Sequence, residues 1–213
     1  MRINKFISDT GKFSRRGADR LIEEGRVFVN GKRAKIGMRI EPGDDVRVDG
    51  NQLYIARNNV YIALNKPVGI TSTTEKNVPG NLLDLVQQPF RVFNIGRLDK
   101  ESEGLILMTS DGDIVNEILR PENEHEKEYV VRVDRPITPE FLENMASGVR
   151  ILGTKTHPSK VEQLSKYEFN ITLTQGLNRQ IRRMCEELGY EVYALKRHRV
   201  MNIHLGNLPI GQW

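Results

Sequence analysis

Along residues 1–50 the apolar positions follow first a helical period and then a strand period. Ile3, Phe6 and Ile7 are spaced for one face of a helix. Ser14 is placed to cap a second helix. In it Ala18, Leu21 and Ile22 share a face, and Gly25 stands where a C′ glycine ends it. Val27-Phe28-Val29 predicts a strand, and Asn30-Gly31 a two-residue hairpin turn. Pro42-Gly43 predicts a second turn, and Val46 with Val48 a last short strand. Two helices followed by a small sheet in about 50 residues can enclose a small core.

Residues Asn51 to Asn59, with the pair Asn58-Asn59, are polar and predict a linker. From Val60 the pattern changes. Tyr61 to Leu64 predicts a buried strand ended by Asn65-Lys66-Pro67, and Leu82 to Val86 a short helix. Arg91 to Ile95 predicts a strand broken at Gly96, and Gly104 to Thr109 another. Ile114, Val115, Ile118 and Leu119 form a helical face that ends before Pro121. Lys127 to Val133 predicts a strand, and Thr138-Pro139 an N-cap with an N1 proline opening a helix. Tyr167 to Thr174 alternates strictly. Asn178 is expected to cap a helix that runs to Leu188 and closes at Gly189. Glu191 to Leu195 and Val200 to Leu205 are expected as separate final strands. Many strands with interspersed helices, and few repeated βαβ units, predict an α+β fold with a mixed sheet. The expected division is one domain over residues 1–55 and another over 60–213.

Composition narrows the class. The 213 residues carry a formal net charge of +4, too small to point to a nucleic acid by itself. Its distribution says more. Residues 1–40 hold 11 Lys/Arg against four acids, a net of +7, while residues 41–213 hold 21 against 24, a net of −3. Arg15, Arg16 and Arg20 on the second helix, with Arg26, Lys32 and Arg33 after it, predict a phosphate-contacting surface. No apolar run has membrane-spanning length, and the basic first 20 residues hold no apolar signal segment. The one cysteine fits a reducing cytoplasm. The four histidines have no metal-ligand spacing, and there is no Walker loop or dinucleotide fingerprint. No metal and no cofactor are expected.

Three constellations could carry chemistry. Gly96-Arg97-Leu98-Asp99-Lys100-Glu101-Ser102-Glu103-Gly104 joins two apolar strands. Asp99 there can be a nucleophile, a general base, a metal ligand or part of an exposed turn. Asn178 to Cys185 reads as a helix whose Ile181, Met184, Cys185 and Leu188 form a buried face. Arg182 falls about 110° from the centre of that face, on its border, where a guanidinium needs an anionic partner or must snorkel. Cys185 reads as an inert core thiol. His125-Glu126-Lys127-Glu128-Tyr129 leads an aromatic ring into a strand, either beside a flat ligand or at a sheet edge. Lys196-Arg197-His198-Arg199 is a second basic run that could meet an RNA backbone.

Taken in order, these residues resemble the RsuA family of single-site ribosomal RNA pseudouridine synthases. Ser14-Arg15-Arg16, Ala18, Leu21-Ile22, Gly25-Arg26-Val27 and Val29-Asn30-Gly31 resemble an S4-type RNA-binding domain. Leu64-Asn65-Lys66-Pro67-Val68-Gly69 resembles the family's first motif, and Gly96-Arg97-Leu98-Asp99 its catalytic-aspartate motif. Lys127-Glu128-Tyr129 resembles the tyrosine motif and Gly176 to Met184 the last one. His125 to Tyr129, Ile151 to Thr154 and Leu208 to Trp213 look most like the RluF branch, which acts on large-subunit rRNA.

The resemblance implies a small S4-like α/β RNA-binding domain followed by a mixed, mostly antiparallel-sheet catalytic domain. It implies that Asp99, Tyr129 and Arg182 are catalytic: Tyr129 stacks on the target uracil and Arg182 ion-pairs with Asp99. It further implies that Arg97, Ile181, Arg179, Lys66 and Lys127 bind substrate. The expected partner is ribosomal RNA, 23S first, with 16S rRNA or a tRNA anticodon arm as alternatives. A non-catalytic S4-type ribosome-assembly protein is the reading from another class. A monomer without membrane association is expected. Relatives of that branch normally continue past the closing Gly211-Gln212-Trp213 with a further helix and often a basic tail, so the resemblance implies either a trimmed chain or a shorter member of the branch.

Overall fold

A computed structural model describes residues 1–55, 59–89 and 91–213. It divides into two compact units. One comprises Met1–Tyr61 with Gln88–Phe93 and Thr109–Gly112; the other comprises Ile62–Gln87, Asn94–Met108 and Asp113–Trp213.

The smaller unit is built as its pattern predicts. Helices α1 (Ile3–Asp9) and α2 (Arg15–Glu23) precede strands β1 (Val27–Val29), β2 (Lys32–Arg33), β3 (Val46–Val48) and β4 (Asn51–Gln52). Ser14 caps α2 by accepting a hydrogen bond from the Gly17 amide at 2.9 Å. Asn30 and Gly31 both hold positive φ, at 50° and 75°, as a tight hairpin turn requires. The sheet runs β2-β1-β3-β4, all antiparallel. Val27, Val29, Val46 and Val48 point inward against Ile3, Ile7, Ala18, Leu21 and Ile22.

Asn51 and Gln52 are not linker, because they form β4 against β3, and Leu53 behind them is buried. The cause is Asp49-Gly50, whose φ values of 50° and 77° close a second two-residue hairpin. Of the expected linker, residues 56–58 lie outside the described residues.

The remaining strands are β5 (Tyr61–Lys66), β6 (Phe93–Ile95), β7 (Glu103–Thr109), β8 (Lys127–Val133), β9 (Arg150–Ile151) and β10 (Thr154–Lys155). They continue with β11 (Lys160–Gln163), β12 (Glu168–Leu173), β13 (Val192–Val200) and β14 (Ile203–His204). Helices α3 (Gly112–Leu119), α4 (Pro139–Ser147) and α5 (Gln180–Glu187) are interspersed. The main sheet has the order β11-β12-β8-β13-β7-β5, with β14 beside β13 and β6 beside β7. β13 pairs antiparallel with β8 and parallel with β7, so the sheet is mixed. Phe169, Ile171 and Leu173 of β12 and Val131 and Val133 of β8 pack under Phe141 and Met145 of α4. Ile181, Met184 and Cys185 of α5 complete that core. A second cluster joins Ile95, Leu105, Leu107, Ile118, Val200 and Leu205.

Two expectations are corrected. The residue before α5 is Arg179, not Asn178; it holds φ 50° and caps nothing with its side chain. Asn178 instead accepts from Arg183 through its carbonyl and its side-chain oxygen. The strands expected at Glu191 to Leu195 and from Val200 are not separate, because β13 runs for nine residues through Lys196-Arg197-His198-Arg199. Backbone pairing on both sides holds those polar residues in extended form.

The contact between β7 and β13 is close. Gly104 has φ +106°, and a Cβ there would lie 2.3 Å from the Arg197 carbonyl oxygen and 2.7 Å from its amide nitrogen. Gly104→Ala is therefore expected to cost roughly 3 kcal/mol, from overlap plus backbone strain. Gly153→Ala, at φ +77° in open space, should cost about 1 kcal/mol from strain alone. Urea unfolding of the two variants checks this; equal losses would show that the close approach does not matter.

Candidate active site

The larger unit contains a cleft of about 400 Å³, within the range of ligand sites. It opens between the two apolar clusters: Leu173, Ile181 and Leu195 line one side, and Ile95, Ile118 and Val200 the other. Among the described lining residues Asp99 is the sole carboxylate. Six cations share the lining with it: Arg97, Arg120, Lys127, Arg179, Arg182 and Arg197. The net charge of −3 over residues 41–213 hid this concentration, because the acids are elsewhere.

The loop carrying Asp99 is held from behind. Leu98 is buried, and its backbone is gripped at both ends by Ser72, whose hydroxyl donates to the Leu98 carbonyl at 2.6 Å and accepts from its amide at 3.1 Å. The Gly69 amide donates to the Lys100 carbonyl at 2.8 Å, and the Ser102 amide closes a turn onto the Asp99 carbonyl at 3.0 Å. Lys66 does not line the cleft. It is 0% exposed, and its ammonium donates to the carbonyls of Pro67 and Ile70, each at 2.8 Å. From there it stiffens the turn whose Gly69 supports the Asp99 loop. Burial pulls its pKa down to about 8, against the opposing pull of Glu101, Asp99 and Glu103.

Arg182 sits on the border of the α5 apolar face, as the helical spacing predicts. Its Nη1 donates to the Val192 carbonyl, and its Nη2 to the Glu101 carbonyl and the Ser102 hydroxyl, each at 3.2 Å. Its Nε lies 3.9 Å from Asp99 Oδ2. That is a charge pair rather than a hydrogen bond, and Arg182 Nε has no hydrogen-bond partner among the described residues. Burial, with Arg179 nearby, lowers the Arg182 pKa against Asp99 and Glu101.

Tyr129 is half-buried on β8 and lines the cleft, as do buried Ile181 and exposed Arg97. Half-buried Lys127 also lines it, donates to the His125 carbonyl at 3.0 Å, and is lowered in pKa by burial and then by Arg197. Arg179 stands exposed at the lining and pairs with Glu101 at 3.0 Å. Cys185 is buried, and burial pushes its thiol up to about 12, so it is inert.

The six cations expected to contact phosphate, Arg15, Arg16, Arg20, Arg26, Lys32 and Arg33, are all exposed, but they are not equivalent. Arg26 is engaged by Asp49 through two hydrogen bonds, at 2.8 and 2.6 Å, and by Glu24 at 2.9 Å. Arg33 reaches the Glu23 carbonyl and packs over Gly25. Arg15, Arg16, Arg20 and Lys32 make no ion pair among the described residues. The run Lys196–Arg199 is not an open RNA-contacting patch. Lys196 faces Glu103, Arg199 pairs with Glu126 and Glu128, and Arg197 is buried. Sequence reasoning missed Ser72, Ser102, Arg120 and Arg197. For Arg197 a signal existed: it shares strand parity with apolar Leu195. Among the described residues no cluster of three or more His, Cys, Asp or Glu could hold a metal. Among the described residues no helix is long and apolar enough to cross a membrane.

A family described as RNA pseudouridylate synthase matches residues 60–187, and one described as S4 domain matches residues 1–46. The chain belongs to the RNA pseudouridylate synthase family. Such an enzyme isomerises uridine to pseudouridine within RNA, and in this synthase an S4 domain accompanies the catalytic fold. The chain is 57% identical to a dual-specificity RNA pseudouridine synthase RluF of Escherichia coli K12, over 100% of this chain and 74% of that protein. It is 36% identical to the ribosomal large subunit pseudouridine synthase B of Bacillus subtilis, over 99% and 89%. A crystal structure of a pseudouridylate synthase shares the fold with a TM-score of 0.72 at 28% identity, covering 100% of this chain and 94% of that one.

Lys66 gives this synthase a pH signature. An unfolded lysine keeps its proton up to its ordinary value of 10.5, whereas folded Lys66 releases it at about 8. The unfolded state then binds more protons between those values, so stability from this group rises with pH across that window. Urea unfolding should show the wild type gaining on Lys66→Met by up to about 3 kcal/mol between pH 8 and 10.5. A pH-independent difference would place Lys66 in water.

Proposed function

We propose that the chain isomerises one uridine in 23S ribosomal RNA, with Asp99, Tyr129 and Arg182 as the catalytic set. The observation that carries this is their convergence on one cationic cleft in which Asp99 is the sole described carboxylate. The reaction breaks the bond from the sugar C1′ to N1 and makes one from C1′ to C5. The C5 proton is lost and N1 gains one, so no atom, redox equivalent or cofactor is consumed. Asp99 acts at the sugar, as a carboxylate does in glycoside chemistry. Tyr129 stacks on the base, which must leave its own stack to enter the cleft. Arg182 holds the Asp99 loop from the α5 side, and Ile181 closes the apolar wall. Arg97, Arg179 and Lys127 contact the RNA.

Residues 1–55 supply sequence-independent affinity and residues 60–213 select and convert the base. The free cations Arg15, Arg16, Arg20 and Lys32 are the phosphate contacts of the smaller module, and Arg26 and Arg33 act in holding its fold. The protein works as a cytoplasmic monomer. The ribosomal large subunit in the name of the Bacillus subtilis relative supports 23S over 16S rRNA. The words dual-specificity RNA in the name of the Escherichia coli relative favour a second RNA substrate as well. A tRNA anticodon arm is the one to test.

Carbodiimide primer extension on undermodified 23S rRNA, 16S rRNA and tRNA incubated with the protein should reveal a new stop on 23S rRNA. No stop on any of the three would overturn the reading. Asp99→Asn should abolish the stop while RNA binding persists; activity within a few-fold of wild type would remove Asp99 from the mechanism. The triple variant Arg15→Ala/Arg16→Ala/Arg20→Ala should weaken RNA binding and flatten its salt dependence, by a slope of nearly one per lost phosphate contact. Arg26→Ala should leave the slope unchanged. Equal effects of the two would show that the Asp49 pairing does not withhold Arg26.

A further inference from the structure

Arg197 is the one cation of the cleft lining that is almost wholly buried, at 4% exposure. It has no ion pair among the described residues. Its Nε donates to the Leu105 carbonyl at 2.6 Å, which fixes the guanidinium plane, while its Nη2 is buried without a hydrogen-bond partner among the described residues. A buried donor left unmade costs about 1–3 kcal/mol, and more when charged. Its place in the sheet is equally specific. In β13 it stands directly opposite Tyr129 of β8 on one side and Gly104 of β7 on the other. Directly opposed side chains share a sheet face with Cβ atoms about 5 Å apart. The guanidinium therefore rises beside the tyrosine ring, in the strand that also flanks the end of the Asp99 loop.

We propose that Arg197 is a further catalytic residue, whose free Nη2 donates to a carbonyl oxygen of the flipped uracil. When the bond from N1 to C1′ breaks heterolytically, its electron pair stays on the base and the charge spreads to O2 and O4. A preorganised cationic donor in a water-poor site stabilises charge developing there. It also keeps the released base in place until C5 bonds to C1′ and the C5 proton has been replaced by one on N1. Of the other arginines, Arg182 is engaged by Val192, Glu101 and Ser102, and its one unpartnered nitrogen, Nε, faces Asp99 at 3.9 Å rather than a base; Arg179 is exposed and paired with Glu101. The assignment rests on the cleft being the uridine site.

The test pairs one protein change with one atom change in the RNA. Single-turnover rates are measured for wild type and Arg197→Lys on RNA carrying uridine, 2-thiouridine or 4-thiouridine at the target. Sulfur is the weaker acceptor, so one of the two thio substitutions should slow the wild type about tenfold and the variant no more than twofold. On ordinary uridine the variant should lose about 100-fold in kcat with KM nearly unchanged. If both thio substitutions slow the two proteins by the same factors, or if neither slows the wild type, Arg197 does not contact the carbonyls. The second result needs no variant, so it stands even if Arg197→Lys fails to fold. Arg197→Gln, verified by circular dichroism, repeats the cycle with a neutral donor. A wild type inactive on ordinary uridine in every RNA tested would instead overturn the reading of the cleft, and the proposal with it.

Discussion

The parallel contact of β13 with β7 is the constraint on which the site depends. Two backbones meet at Gly104 and Arg197 more closely than any side chain would allow. That approach places β13 between β7, which follows the Asp99 loop, and β8, which carries Tyr129. Residues distant in sequence are thus set side by side by backbone geometry before any side chain chooses a partner. α5 then packs its apolar face on the same core, and its border residue Arg182 ties the Val192 carbonyl of β13 to Glu101 and Ser102 of the loop. A guanidinium with several donors in a fixed fork suits that bridging better than an ammonium would.

Electrostatics in the larger unit works by sorting rather than by excess. Glu126 and Glu128 are consumed by Arg199, Glu103 faces Lys196, and Glu101 holds Arg179. Asp99 is left as the cleft's described anion among cations that either stiffen the walls or face the opening. The smaller unit shows the same sorting. Asp49 and Glu24 neutralise Arg26, and the α2 arginines stay open. In both units a residue's charge says little until its nearest partner is known.

Most elements were legible where a single local rule decides. Ser14, Thr138 and Asn30-Gly31 act as cap, cap and turn because their chemistry acts within four residues. Asp49-Gly50 obeys the same rule, yet the polar residues after it masked the short strand it creates. The full length of β13 was not legible, since a run of four basic residues takes its extended form only from two neighbouring strands. Arg182 on the helix border could be placed by angle, and Asp99 with Tyr129 by resemblance. Lys66 could not: its ammonium is satisfied by two carbonyls of its own turn, a contact that no spacing announces. Arg197 shares strand parity with apolar Leu195, which hints at its burial, but the carbonyl that fixes it lies 92 residues away.

The buried thiol of Cys185 has a practical consequence. It is the chain's one cysteine, sealed on the inner face of α5 with burial pushing its thiol up to about 12, and the thiolate is the reactive form. In the folded state the protein is therefore chemically silent toward maleimides and iodoacetamide. A cysteine introduced anywhere on the surface would carry a fluorophore or spin label at that position alone, without prior removal of the native one. Conversely, the rate at which Cys185 itself becomes alkylated reports how often the catalytic core opens.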